Sequence, residues 1–167
     1  MKQKSPKQAA RPDRIFVALL LVLAAVYFLP RPIRGNLDQA VSQAILERAA
    51  LPDSHSVTEA HHVLAARTDR AAQTVTVYLV ASSLHYCTTD QGLKETGGFF
   101  GVPTALTFSK SSDGSYELET YWEARDGELY LSSIRETFPR LAYYKLLGYP
   151  AGLLTTSCEI QGWWASL

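Results

Sequence analysis

Few residues in this chain are of types that do chemistry, and their spacing decides what they can do. Four histidines stand at His55, His61, His62 and His85. On a strand, adjacent His61 and His62 point to opposite faces and cannot easily share a metal. Glu59 and His61 lie two apart and do share a face. A third ligand from His85 or a carboxylate would make a metal site. The competing reading is a pair that is exposed or locally hydrogen-bonded, and no metal is expected. Glu123, Arg125 and Asp126 cluster beside Trp122. Two carboxylates do acid–base work when burial separates their pKa values; otherwise such a cluster is a turn held by arginine–carboxylate contacts. The run Gly97-Gly98-Phe99-Phe100-Gly101 sets two aromatics between flexible residues, which suits a ligand or partner contact or a loop tucked over the sheet. Cys87 and Cys158 either join, which for a loop of about 70 residues is worth roughly 4 kcal/mol in the chain-entropy model, or remain buried thiols. There is no G-x-S-x-G, P-loop, H-E-x-x-H or C-x-x-C. The binding candidates are therefore Phe99, Phe100, Trp122, Glu123, Arg125 and Asp126, with no catalytic residue and no cofactor assigned.

The formal net charge is zero, from 16 basic and 16 acidic residues, and this zero is a sum of two unlike parts. Residues 1–35 hold seven basic residues against Asp13, giving +6; residues 36–167 hold nine basic and 15 acidic, giving −6. An apolar fraction of 47% excludes a disordered chain, and two cysteines exclude a disulfide-dense miniprotein. Residues 15–29 are an unbroken apolar run without charge, Gly or Pro. A helix over 12–29 reaches about 27 Å at 1.5 Å per residue, enough to span a slightly thinned bilayer. Pro12 suits its first position, and Pro30 and Pro32 end it. The basic excess ahead of it places the N-terminus in the cytoplasm. A cleaved signal peptide is the alternative, and the nearest cleavage pattern, Leu23-Ala24-Ala25, carries Leu in place of a small residue. The expected order is a basic tail over 1–11, a signal-anchor over 12–29, a linker over 30–35 and an extracytoplasmic domain over 36–167. A domain of net charge −6 makes nucleic acid an unsuitable partner.

These elements must position the candidate residues. Asn36 suits an N-cap with Gln39 three residues on. Leu37, Val41, Ala44, Ile45 and Ala49 recur at helical spacing, predicting an amphipathic helix with one buried stripe. Residues 57–66 read as a strand whose alternation is broken. Residues 74–84 read as a central strand, since Val80 makes its second face apolar. Residues 88–101 read as a Gly-rich loop. Val102, Thr104, Leu106 and Phe108 line a third strand, and Ser111-Ser112-Asp113-Gly114 turns the chain. In the fourth strand Tyr116, Leu118, Thr120 and Trp122 share a face while Glu117, Glu119 and Glu123 look away. Ser133 and Glu136 fit a capping box for a short helix that Pro139 ends. Residues 141–147 and 153–164 read as two more helices, with Gly162 weakening the last turn. The expected fold class is α+β: a transmembrane helix, an amphipathic helix, a four-stranded antiparallel curved sheet and C-terminal helices on one sheet face, cystatin/NTF2-like in general layout.

The segments TEAHHVLA (58–65), TVTVYLVAS (74–82), GGFFGVPTALTF (97–108), YELETYWEARDGELY (116–130) and IRETFP (134–139) carry a resemblance. Together they resemble small uncharacterised extracytoplasmic domains of Bacillota. In that family similar domains follow one membrane anchor or are appended to beta-lactam-sensor-type membrane metallopeptidases. The Tyr-Trp-Glu-x-Arg-Asp-Gly stretch at 121–127 is the most specific part. The resemblance implies a surface-side module with no established catalytic residues, and the metallopeptidase zinc motif is absent. The expected function is a membrane-anchored, extracytoplasmic, non-catalytic interaction or sensory role. Its partners would be the bilayer through 12–29 and an envelope or membrane protein. The alternatives are an envelope enzyme with Glu123 or Asp126 as acid or base, and a small-ligand or lipid-binding module.

Overall fold

The structure is a computed structural model that describes Val17, Ile33 and residues 35–51, 56–90, 92–150 and 152–165. The expected tail (1–11), nearly all of the expected span (12–29), most of the linker (30–35) and His55 lie outside them. Among the described residues no helix is long and apolar enough to cross a membrane.

Helix α1 (Asn36–Ala49) buries Val41, Ala44, Ile45 and Ala49, the stripe that its period predicts. Its cap differs from the expected one. Gly35, at φ 64°, precedes the first turn and accepts from Gln39 N at 3.2 Å, and no side chain caps the end. Asn36 is already helical, and its Nδ2 donates instead to Gly114 O at 3.3 Å, tying α1 to a hairpin tip.

Four strands follow: β1 (Ser56–Asp69), β2 (Thr74–Thr89), β3 (Gly92–Lys110) and β4 (Tyr116–Glu123). They pair antiparallel in chain order. Asp69 accepts from Ala71 N at 2.9 Å and Ala72 N at 3.1 Å, closing the first hairpin as an Asx turn. Gly114, at φ 87°, closes the β3–β4 hairpin, as its Asp-Gly pair predicts. The residues expected as a loop over 88–101 are instead mostly strand, because β3 begins at Gly92. Glycine is what lets the strand through: the carbonyl of Ser83 stands where a Cβ on Gly98 would lie.

Bulges explain why the alternation misleads in two strands. In β1 the register slips at Leu64, between Val63 and Ala65. In β4 it slips at Glu119, since Thr107 faces Thr120 while Phe108 faces Leu118. Tyr116 and Trp122 therefore pack on opposite faces of the sheet, not on one, and Glu123 turns toward α1 rather than away.

Helices α2 (Tyr130–Thr137), α3 (Arg140–Leu147) and α4 (Gly152–Ala165) follow a 3-10 turn at Gly127–Leu129. Ser133 does not cap α2. It lies buried inside the helix, where its Oγ donates to Tyr130 O at 2.9 Å and accepts from Arg125 N at 3.1 Å. Gly162 is also more than a weak point, because a Cβ there would run into the Tyr86 ring; α4 needs glycine to approach β2.

Helices cover both faces of the sheet, where one was expected. One core joins Val41, Ala44 and Ile45 of α1 to Val63, Val75, Val77, Leu79, Ala81, Leu106 and Phe108. The other joins Leu64, Tyr78, Val80, Leu84 and Tyr86 to Ile134, Phe138, Ala142, Leu154 and Cys158 of the C-terminal helices. Strand β2 feeds both cores, as its two apolar faces require.

Candidate functional site

Where the last turn of α1 crosses the far ends of β2, β3 and β4, an open groove of about 320 Å³ forms. Arg48, Ala49 and Leu51 wall it on the helix side; His85, Phe99, Val102, Glu123 and Asp126 belong to the sheet and the segment after β4. Three of the six sequence-predicted binding residues thus meet here: Phe99, Glu123 and Asp126. The others do not. Trp122 is on the opposite face with its ring 5.8 Å from Phe138. Phe100 points to solvent at 51% exposure. The Arg125 amide is engaged by Ser133, which anchors the start of α2.

Glu123 is held rather than free. Its carboxylate accepts from Arg48 Nη2 at 3.1 Å, and the same guanidinium lies 5.9 Å from the centre of the Tyr121 ring. Burial, and after it the Glu123 charge, push the Tyr121 phenol well above its ordinary ionisation range.

Among the described residues the buried Ser83 Oγ and His85 Nε2 have no hydrogen-bond partner, and the buried Tyr121 OH has at most a poorly aligned approach to Thr104. Alternation from Ala81 puts Ser83 and His85 on the α1 face, and Tyr121 packs against the α1 core. His85 also lines the groove and is 8% exposed, so its ring belongs to the floor. Buried polar atoms are ordinarily satisfied. The three lie on one sheet face, each sealed beneath the surface.

Further along this face, His61 is clamped between carboxylates. Its Nδ1 is 3.1 Å from Glu59 Oε2 and its Nε2 is 3.3 Å from Asp38 Oδ1 of α1. Burial alone would lower the His61 pKa, but hydrogen bonds and charge from Glu59 and Asp38 outweigh it and raise it. Burial would likewise raise Glu59, and the bond and charge of His61, with help from Ser42, bring it down. His62 faces the other way, as predicted, and stacks on Tyr149 with ring centres 4.2 Å apart. Burial, Lys145 and His61 lower its pKa. The Glu59–His61 pair is therefore the locally hydrogen-bonded alternative. Among the described residues no three His, Cys, Asp or Glu side chains gather as metal ligands.

Cys87 and Cys158 stand as separate thiols. Tyr86 meets α4, and alternation turns Cys87 to the other side of the sheet. Cys158 is buried with Sγ 3.6 Å from Ser82 O, and burial, followed by Glu59, pushes its thiol up to about 11. Such a thiol is a packing group, not a nucleophile.

Arg48 and Leu51 are site residues that the sequence does not single out, and His85 stands out there only as a possible metal ligand. The end of the α1 stripe at Ala49 is the one signal for them, since it places Arg48 at the rim of a buried turn. No family model matches the chain, and no curated protein or solved structure is similar enough to it to count as a match.

Proposed function

We propose that this chain is a single-pass, membrane-anchored domain on the extracytoplasmic side with a non-catalytic interaction role, and that the groove beside α1 is its contact site. The observation that carries the reading is the convergence of Phe99, Glu123 and Asp126 with Arg48 and His85 around one open groove. An apolar wall with a few fixed polar groups is the composition of a recognition site. Acid–base catalysis by Glu123 is less well supported, because a general base must be free to take a proton and this carboxylate is held by Arg48. The apolar wall of Leu51, Phe99 and Val102 favours small-ligand binding at the same groove as a second reading. The anchor rests on the apolar run at 15–29 and on the +6 segment around it. The resemblance to anchored extracytoplasmic domains of Bacillota, and the cystatin-like layout of a helix across a four-stranded meander, are part of the same proposal.

A photo-crosslinking residue at Asp126, compared with one at Glu117, tests it in native membranes. Crosslinks to an envelope protein at 126 and not at 117 are expected. Labelling no greater than from the anchor fused to an unrelated domain would defeat the reading. A reporter fused after Leu167 that works only in the cytoplasm would defeat the topology.

A further inference from the structure

Strand β3 is much longer than the strand beside it. It pairs with β2 from Gly92 to Ser109, but with β4 only from Thr104 to Lys110. The last rung is Ala124 N donating to Pro103 O at 3.0 Å, after which the chain leaves for α2. Over 92–102 the edge of β3 that faces away from β2 has no strand beside it. Among the described residues no backbone group bonds to that edge. Every second residue of a regular strand turns its N–H and C=O to each side, so between its register slips the edge presents donors and acceptors to solvent. Lys94, Glu95, Thr96, Gly98 and Phe100 are exposed along it.

We propose that this edge takes an extended peptide segment of an exported partner by strand addition, in the row that β4 vacates, with one partner side chain seated in the groove. The proposal rests on the groove reading above and names the partner's conformation. Strand addition divides the work: backbone hydrogen bonds give affinity and a side-chain pocket gives specificity. Both parts are adjacent here, since Gly98, Phe99 and Val102 of the open edge also line the groove. Leu51, Phe99 and Val102 offer an apolar wall, so the seated side chain is an apolar one. An unpaired edge is a hazard that proteins blunt with charge and bulges. The slips at Thr96 and at Phe100-Gly101 do this, and Gly101 N is fixed on Ser82 Oγ at 2.9 Å. They break the edge into short segments.

The test uses the full chain in nanodiscs and a displayed library of random nonapeptides, with selected peptides then synthesised. Bound peptide is expected to slow amide hydrogen exchange within 92–102. N-methylation of alternate peptide residues is expected to weaken binding about tenfold per blocked bond, and methylation of the intervening ones very little. Phe99→Ala should weaken peptides with an apolar residue at the seated position. A library that yields no binder, binders that leave 92–102 exchanging as before, or a free chain already paired through this edge in a sedimenting dimer would overturn strand addition. Binding lost in Phe99→Ala but indifferent to N-methylation would also overturn it while leaving the groove as the contact site. The Asp126 crosslink judges the groove independently.

Discussion

The same four strands present two faces, and the two are closed in different ways. Toward α2, α3 and α4 the sheet offers Tyr78, Val80 and Leu84, and the helices answer with Ile134, Phe138 and Leu154. Aromatic rings interlock there, with Phe138 5.3 Å from Tyr78 and 5.8 Å from Trp122. Toward α1 the sheet is apolar near the hairpins, through Val77, Leu106 and Phe108. Under the end of α1 it becomes polar, with Ser83, His85 and Tyr121 buried. The neighbouring histidines sample both: His61 is held by two carboxylates on one face, and His62 lies against an aromatic ring on the other. Buried polar groups under α1 contrast with the rings that fill the other face. On the proposed reading, the helix-rich face serves mainly stability and the α1 face serves recognition.

The largest effect that would break this assignment is on the aromatic side. Phe138→Ala removes a buried ring from between Tyr78 and Trp122 and should cost about 3–5 kcal/mol. Chemical denaturation measures it as a fall in midpoint at constant slope. A loss under about 1 kcal/mol would mean that this face is not the principal core.

Much of that core is legible in the sequence. The α1 stripe and the two apolar faces of 74–84 follow from period alone, and so do the hairpin at Asp113-Gly114 and the helix stop at Pro139. What misleads is any residue that shifts the period by one. Leu64 and Glu119 are ordinary in type, yet each is a bulge, and the second sends Trp122 and Tyr116 to opposite faces. The glycines mislead differently. Gly98 reads as a loop residue, whereas its missing side chain admits the Ser83 carbonyl and lets β3 continue pairing with β2 into the site. The site itself is half legible for the same reason. Phe99, Glu123 and Asp126 stand out by type, but Arg48 reaches them only through the crossing of α1, which no local pattern encodes.

The next effect separates the faces by pH. His61 has a raised pKa in the fold, so its contribution is complete below its unfolded value of 6.5 and is lost as pH rises through the folded value. Glu59 has a lowered pKa, so its contribution is present above 4.5 and is lost as pH falls through the folded value. The pair therefore stabilises most between 4.5 and 6.5. Replacing His61 with Ala leaves a partly buried Glu59 without its main partner and should cost about 2 kcal/mol in that window. The gap between wild type and variant should narrow on both sides. A gap that is flat with pH would show that the loss is one of packing, and the contrast between His61 and His62 would lose its electrostatic basis.

The smallest effect is the sharpest, because its sign differs from that of the others. Tyr121 keeps its ring against the α1 core and beneath the Arg48 guanidinium, and neither contact needs the hydroxyl. That hydroxyl is buried and answered at most by Thr104, whose own hydroxyl donates to Val102 O, and burying a polar group poorly answered costs free energy. Tyr121→Phe should therefore leave stability unchanged or raise it by about 1 kcal/mol, where truncation of Phe138 on the other face lowers it several-fold more. Ser83→Ala should move in the same direction by less, since it also gives up a little packing volume. Denaturation midpoints of the two variants against wild type decide it. If Tyr121→Phe loses about 1 kcal/mol or more, the hydroxyl is satisfied in solution by something other than the chain. The α1 face would then be complete without a ligand, and its polar groups would belong to the fold and not to recognition.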